Sequence, residues 1–167
     1  SLAVHWLYAL LDPVSGGVPN LGANDGAYIL PLTISPFGDC RPVLQAAARA
    51  FMNYSLPSGF WDEMTLWFGL PASPKYFEPE RYLAEHLYAR DSWGSLRTIR
   101  RFRSRPSHAD LLHFDLWWRG LNLARDAGTY SYNAAPPWDN ALTSARAHNT
   151  VTVDGHDQMR RASRFLY

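Results

Sequence analysis

Apolar positions in the first half of the chain recur at helical spacing. Leu2, Trp6, Leu7 and Leu10 can share one face of a short helix over residues 2–11. The segment 41–54 is the clearest helix: Pro42 suits the first turn, Ala46, Ala47 and Ala48 favour the conformation, and Leu44, Ala48 and Phe51 form a stripe. Pro57-Ser58-Gly59 ends it. A further helix is predicted over 60–70, with Trp61, Met64, Leu66, Trp67 and Phe68 as its apolar mass. Between these elements lie turn signals: Asp12-Pro13 through Asn20 with Gly16-Gly17, Asn24-Asp25-Gly26, and the prolines 71, 74 and 79.

Near residue 90 the period changes from helical to alternating. Leu96, Thr98, Arg100 and Phe102 alternate with Arg97, Ile99, Arg101 and Arg103, which predicts a strand. Leu112, Phe114, Leu116 and Trp118 predict the apolar face of a second. A third is expected over 121–126, joined through Arg119-Gly120, and a fourth over 149–153, closed by the Asp154-Gly155 turn. Helices first and strands after predict an α+β chain in two regions, 1–90 and 91–167.

Composition narrows the picture only where it departs from the ordinary. A hydrophobic share of 47%, with seven Trp and nine Tyr, excludes a disordered chain and supplies aromatics for a core and for ligand stacking. The net charge of +1 gives no strong basis for nucleic-acid or membrane steering. All but one of the sixteen basic residues are arginine, suited to meeting anionic groups through the guanidinium fork. Lone Cys40 permits no internal disulfide, and no apolar run reaches membrane-spanning length. The chain starts without Met in an apolar stretch and stops at Arg164-Phe165-Leu166-Tyr167, so a piece of a longer protein is expected.

The chemistry is concentrated in the last third. His108, Asp126 and His148 lie on short strand-like runs separated by a turn-rich loop. They are suitable zinc ligands, and water can supply a fourth position. Their separations have no meaning as a local metal motif and matter only if neighbouring strands bring the three together. A polar strut between strands, or part of a catalytic groove, accounts for the same residues; Asp126 in an Asp-Ala-Gly turn can simply accept backbone N–H groups.

The phrases around these residues carry a resemblance. H-A-D-L-L-H at 108–113, D-A-G-T-Y-S-Y at 126–132 and A-H-N-T-V-T-V-D-G at 147–155 resemble the heparinase II/III-like polysaccharide lyases. G-A-N-D-G-A at 22–27 is similar to the late helical domain of the same family. The resemblance implies the end of an (α/α) toroid over 1–90 and the start of an antiparallel β-sandwich over 91–167. It further implies cleavage of uronate-containing acidic polysaccharide by β-elimination, in the periplasm, at the cell envelope or outside the cell. It implies a structural zinc on His108, Asp126 and His148, and places the principal catalytic Asn and Tyr before residue 1. A noncatalytic carbohydrate-binding or structural relative is the alternative.

Several family members have H-G-H where this chain has Pro106-Ser107-His108, so a catalytic-site histidine is replaced by Pro106, which has no proton to exchange. His113, five residues beyond His108, is expected on the opposite face of an ideal strand and so not to replace it. His148 remains a catalytic candidate in competition with its ligand role, since a ligated nitrogen is not a free base. Arg105 and Arg119 are candidates for anionic sugar, and Tyr130, Tyr132 and Trp138 for sugar stacking. A hydrolase has little support, because no carboxylate pair can be positioned.

Overall fold

The computed structural model describes residues 2–20, 28–76, 86–98, 106, 108–128, 131 and 133–163. The Gly22–Ala27 phrase, the stretch 99–103 of the first predicted strand, Arg105, Tyr130 and Tyr132 lie outside them. The chain forms two compact units, Ser1–Val18 with Tyr28–Ala84, and Pro19–Ala27 with Glu85–Tyr167. It is a mixed α+β chain, with three helices and a four-stranded antiparallel sheet among the described residues.

In the first unit, α1 spans Leu2–Leu10 and α2 spans Arg41–Met52. Pro42 occupies the first turn of α2, where its missing N–H costs nothing, and Asn53 ends the helix in the left-handed region. A 3-10 turn at Phe60–Asp62 leads into α3, Glu63–Trp67. Val4, Leu11, Leu44, Ala48 and Leu56 form the core. The faces differ from the simple stripes: Val4 turns inward while Leu2 is 89% exposed, and Phe51 is 75% exposed beyond the buried Leu44 and Ala48. The predicted third helix is shorter, because a polar clamp governs its start. Buried Gln45 donates to Asp62 Oδ1 at 2.5 Å and accepts from Leu56 N at 2.7 Å. Arg49 pairs with Asp62 at 2.7 Å and donates to Thr65 Oγ1 at 2.6 Å. Within α3 only Met64 and Thr65 are buried. No helix among the described residues is long and apolar enough to cross a membrane.

The second unit is built on β1 (His86–Tyr88), β2 (Ser92–Leu96), β3 (Phe114–Trp118) and β4 (Leu121–Asn122), neighbours in that order. Trp93 pairs with Trp117 across the β2–β3 ladder, and their rings stack 5.6 Å apart. Gly94 leaves room for the Phe114 ring, which a Cβ would meet at 2.8 Å. Arg119 and Gly120 both take positive φ, as a two-residue hairpin turn requires.

Three strand expectations are corrected. β3 begins at Phe114, because Leu112 sits at φ 60° and breaks the extended run. Its buried side is Asp115 and Trp117, so the predicted apolar row is the less buried one and the polar Asp115 faces inward. β4 ends at Asn122, since Leu123 and Ala124 both direct their N–H to the same Leu116 carbonyl.

The segment 149–153 is not a strand. Asn149 O accepts from Phe114 N, but side chains then take over the ladder's work: Gln158 accepts from Leu111 N at 2.6 Å and donates to Leu111 O at 2.8 Å, and Thr150 also donates to Leu111 O. Val151 and Val153 are left exposed, without the packing that rewards β-branched residues in a sheet. The Asp154-Gly155 turn does form, closing a single bridge from Val153 to His156.

Candidate metal centre

His108 follows the described Pro106 in a bend, and Ala109 anchors that bend by donating its N–H to Thr143 O at 2.8 Å. The chain then turns back, with His113 N on Asp110 O at 3.1 Å, before β3 starts. Asp126 stands four residues after β4, with Gly128 at φ 70° directly beyond it. His148 leaves the 3-10 turn Ala145–Ala147, its N–H on Ala145 O at 3.1 Å. None of the three sits on a strand. Turns and bends bring together residues 108, 126 and 148, which the expected strands were meant to carry.

The assembled cluster is buried. His148 Nδ1 lies 3.3 Å from Asp126 Oδ2, and His113 Nε2 lies 3.6 Å from the same oxygen. The His108 and His148 rings stack at 4.7 Å, and the His113 ring meets His148 edge-on at 5.6 Å. Asp110 adds a second carboxylate, 4.0 Å from His108 Nδ1. One donor atom from each of His108, Asp110, Asp126 and His148 falls within 4.8 Å of all the others. Arg97 supplies the local cation: it donates to Asp110 Oδ2 at 2.6 Å and lies 3.6 Å from Asp126 Oδ2.

Electrostatics follow from this packing. Burial alone would raise Asp126, but the His148 ring and the Gly128 N–H outweigh it and hold the carboxyl well below its usual range. Burial would lower His148, but Asp126 outweighs it and raises the imidazole. Burial lowers His108, and the neighbouring His148 lowers it further. Burial also lowers His113, only partly offset by Asp126. At the edge of the cluster, burial pushes Asp115 up to about 6 against the hydrogen bond from Asn122, and His113 Nε2 lies 3.5 Å from it.

Residues 98–167 match a family described as Heparinase II/III-like, C-terminal. This segment belongs to the heparinase II/III-like family. No curated protein and no solved structure matches the chain.

The donor set of the heparinase II/III-like segment fits a metal ion. Imidazole nitrogens and carboxylate oxygens are the ligands that zinc takes in mixed sites. Asp126 Oδ2 and His148 Nδ1, 3.3 Å apart, are buried without a hydrogen bond of good geometry among the described residues, which a buried polar atom tolerates poorly. A bound cation would satisfy both.

The other predicted residues are placed differently. Arg119 extends into solvent, 3.0 Å from Asp91 Oδ2 and with its guanidinium 5.0 Å from the Trp118 ring centre. Trp138 is 62% exposed on the loop after Pro136-Pro137. His113 is fully buried in the cluster, which overturns its expected place on an opposite face: strand parity does not apply across a bend and a left-handed Leu112. Sequence reasoning also passed over Asp110, Arg97 and Asn20. The first lies inside the quoted H-A-D phrase and was within reach of the sequence. The others enter through tertiary contacts that no local spacing encodes.

Proposed function

We propose that this chain is part of a polysaccharide lyase that cleaves uronate-containing acidic polysaccharide by β-elimination, with residues 91–167 as the start of its β-sandwich and residues 1–90 as the end of an (α/α) toroid. The observation that carries the reading is the buried His108–Asp126–His148 cluster inside the heparinase II/III-like segment. In that reading the three residues hold a structural zinc. The ion supplies a fixed positive charge that ties the loops bearing residues 108, 126 and 148 into one wall beside the substrate groove. Asp110 or a water completes its coordination.

The elimination itself needs a base to take the proton beside the uronate carboxylate, donors to stabilise the developing enolate, and an acid to protonate the departing glycosidic oxygen as the C–O bond breaks. The His148 side chain is wholly buried against Asp126, which supports ligation over proton transfer to a sugar. Arg119 and Trp138 are accessible for acidic sugar and for stacking; Arg105, Tyr130 and Tyr132 are proposed in the same role from the sequence. The principal Asn and Tyr are assigned to sequence before residue 1.

The test is incubation of the protein carrying this chain with a panel of uronate polysaccharides. An ultraviolet-absorbing unsaturated uronate product supports elimination. Its absence across the panel contradicts it. One observation favours a second reading, a noncatalytic carbohydrate-binding relative: Pro106 stands where several family members place a catalytic-site histidine. Polysaccharide binding without any unsaturated product would select that reading.

A further inference from the structure

Asn20 lies 106 residues from Asp126 in sequence, yet its side-chain amide donates to Asp126 Oδ1 at 3.1 Å. The Gly128 N–H donates to the same oxygen at 2.6 Å. Oδ1 is therefore held by two donors, while Oδ2 is left facing His148 Nδ1 at 3.3 Å and His113 Nε2 at 3.6 Å. A carboxylate that ligates through one oxygen is fixed in direction when the other oxygen is bonded elsewhere. Asn20 is itself fixed, since its backbone carbonyl accepts from Arg97 Nη2 at 2.9 Å and the other Arg97 nitrogen grips Asp110 Oδ2 at 2.6 Å. The approach depends on Gly128, where a Cβ would come within 3.2 Å of the Asn20 amide nitrogen.

We infer that Asn20 is a positioning residue of the metal centre: it holds Asp126 Oδ1 so that Oδ2 is presented to the ion. The side chain of Asn20 sets Asp126, while its backbone carbonyl meets the Arg97 that grips Asp110, so both carboxylates that flank the centre are linked to one remote residue. This rests on the metal reading above. It goes beyond that reading by giving the centre an outer support drawn from the Pro19–Ala27 part of the second unit.

The experiment uses the full chain, stripped with chelator and titrated with zinc against a competing chelator, and separately loaded with cobalt(II) for its visible spectrum. Asn20→Asp removes the donor at nearly constant shape and sets a carboxylate against Oδ1. Asn20→Ser is too short to reach and carries the test if Asn20→Asp fails to fold. Each is expected to weaken zinc binding about 10–100-fold, the range for loss of an outer-sphere partner, and to change the cobalt spectrum. A purely structural tie would lower the melting temperature of the stripped protein while leaving zinc affinity and cobalt spectrum as in the wild type. That result overturns the inference alone. A wild-type chain that takes up no zinc overturns the metal reading and the inference together.

Discussion

At Asp126 one carboxylate oxygen is bonded by an amide and a backbone N–H, and the other faces imidazoles and a guanidinium. The imidazoles around it are shifted unevenly: Asp126 raises His148 against its burial, while burial lowers His108 and His113. Asp115 behaves differently, because burial dominates over the hydrogen bond from Asn122. Its folded value of about 6 exceeds the ~3.9 of an unfolded Asp, so the folded state holds the proton more tightly. Its contribution to stability is complete below ~3.9 and is lost as pH rises through about 6. Asp115→Asn keeps an acceptor for Asn122 and is expected to stabilise the chelator-treated protein at pH 8, on the order of 1–2 kcal/mol, while flattening its pH dependence between 4 and 6. Denaturant melts at several pH values check this; an unchanged slope would contradict it. What the sequence made legible at this scale was that His108, Asp126 and His148 are side chains that could together hold a metal ion. The inward turn of His113 was not legible, because it depends on Leu112 adopting a left-handed backbone that leucine rarely takes.

Among the elements, the hairpin at Arg119-Gly120 and the long helix α2 were readable from local signals: a Gly at a tight turn, and Pro at the start of an alanine-rich run. The lack of a strand over 149–153 was not, since the Thr and Val composition there is overridden by Gln158 clasping Leu111 from outside the segment. Gln158→Leu strips the Leu111 N–H of its partner, leaves the Leu111 carbonyl to Thr150, and is expected to cost about 1–3 kcal/mol, read by thermal melting. Equal stability would show that the clasp adds nothing. In the sheet, Gly94→Ala places a Cβ against the Phe114 ring at 2.8 Å and the Asp115 carbonyl at 3.1 Å. Overpacking of this kind costs about 1–3 kcal/mol. In the first unit, Leu44→Ala opens the core where the side chain is wholly buried and is expected to cost about 2–5 kcal/mol.

For the whole molecule, the α+β order of helices then strands was visible in the change of hydrophobic period near residue 90. The assembly of the His/Asp cluster was not, because it draws on bends, a 3-10 turn and Asn20 from near the start of the chain. Its buried His and Asp donors could hold a metal ion, and zinc is the ion proposed. The most direct measurement is metal content of the purified chain by mass spectrometry, for the wild type and for the His108→Ala, Asp126→Asn double variant. About one zinc per wild-type chain, with loss of nearly all of it in the folded double variant, is the predicted result. Zinc stoichiometry unchanged in the double variant, or no metal in the wild type after growth and dialysis with zinc, would contradict it.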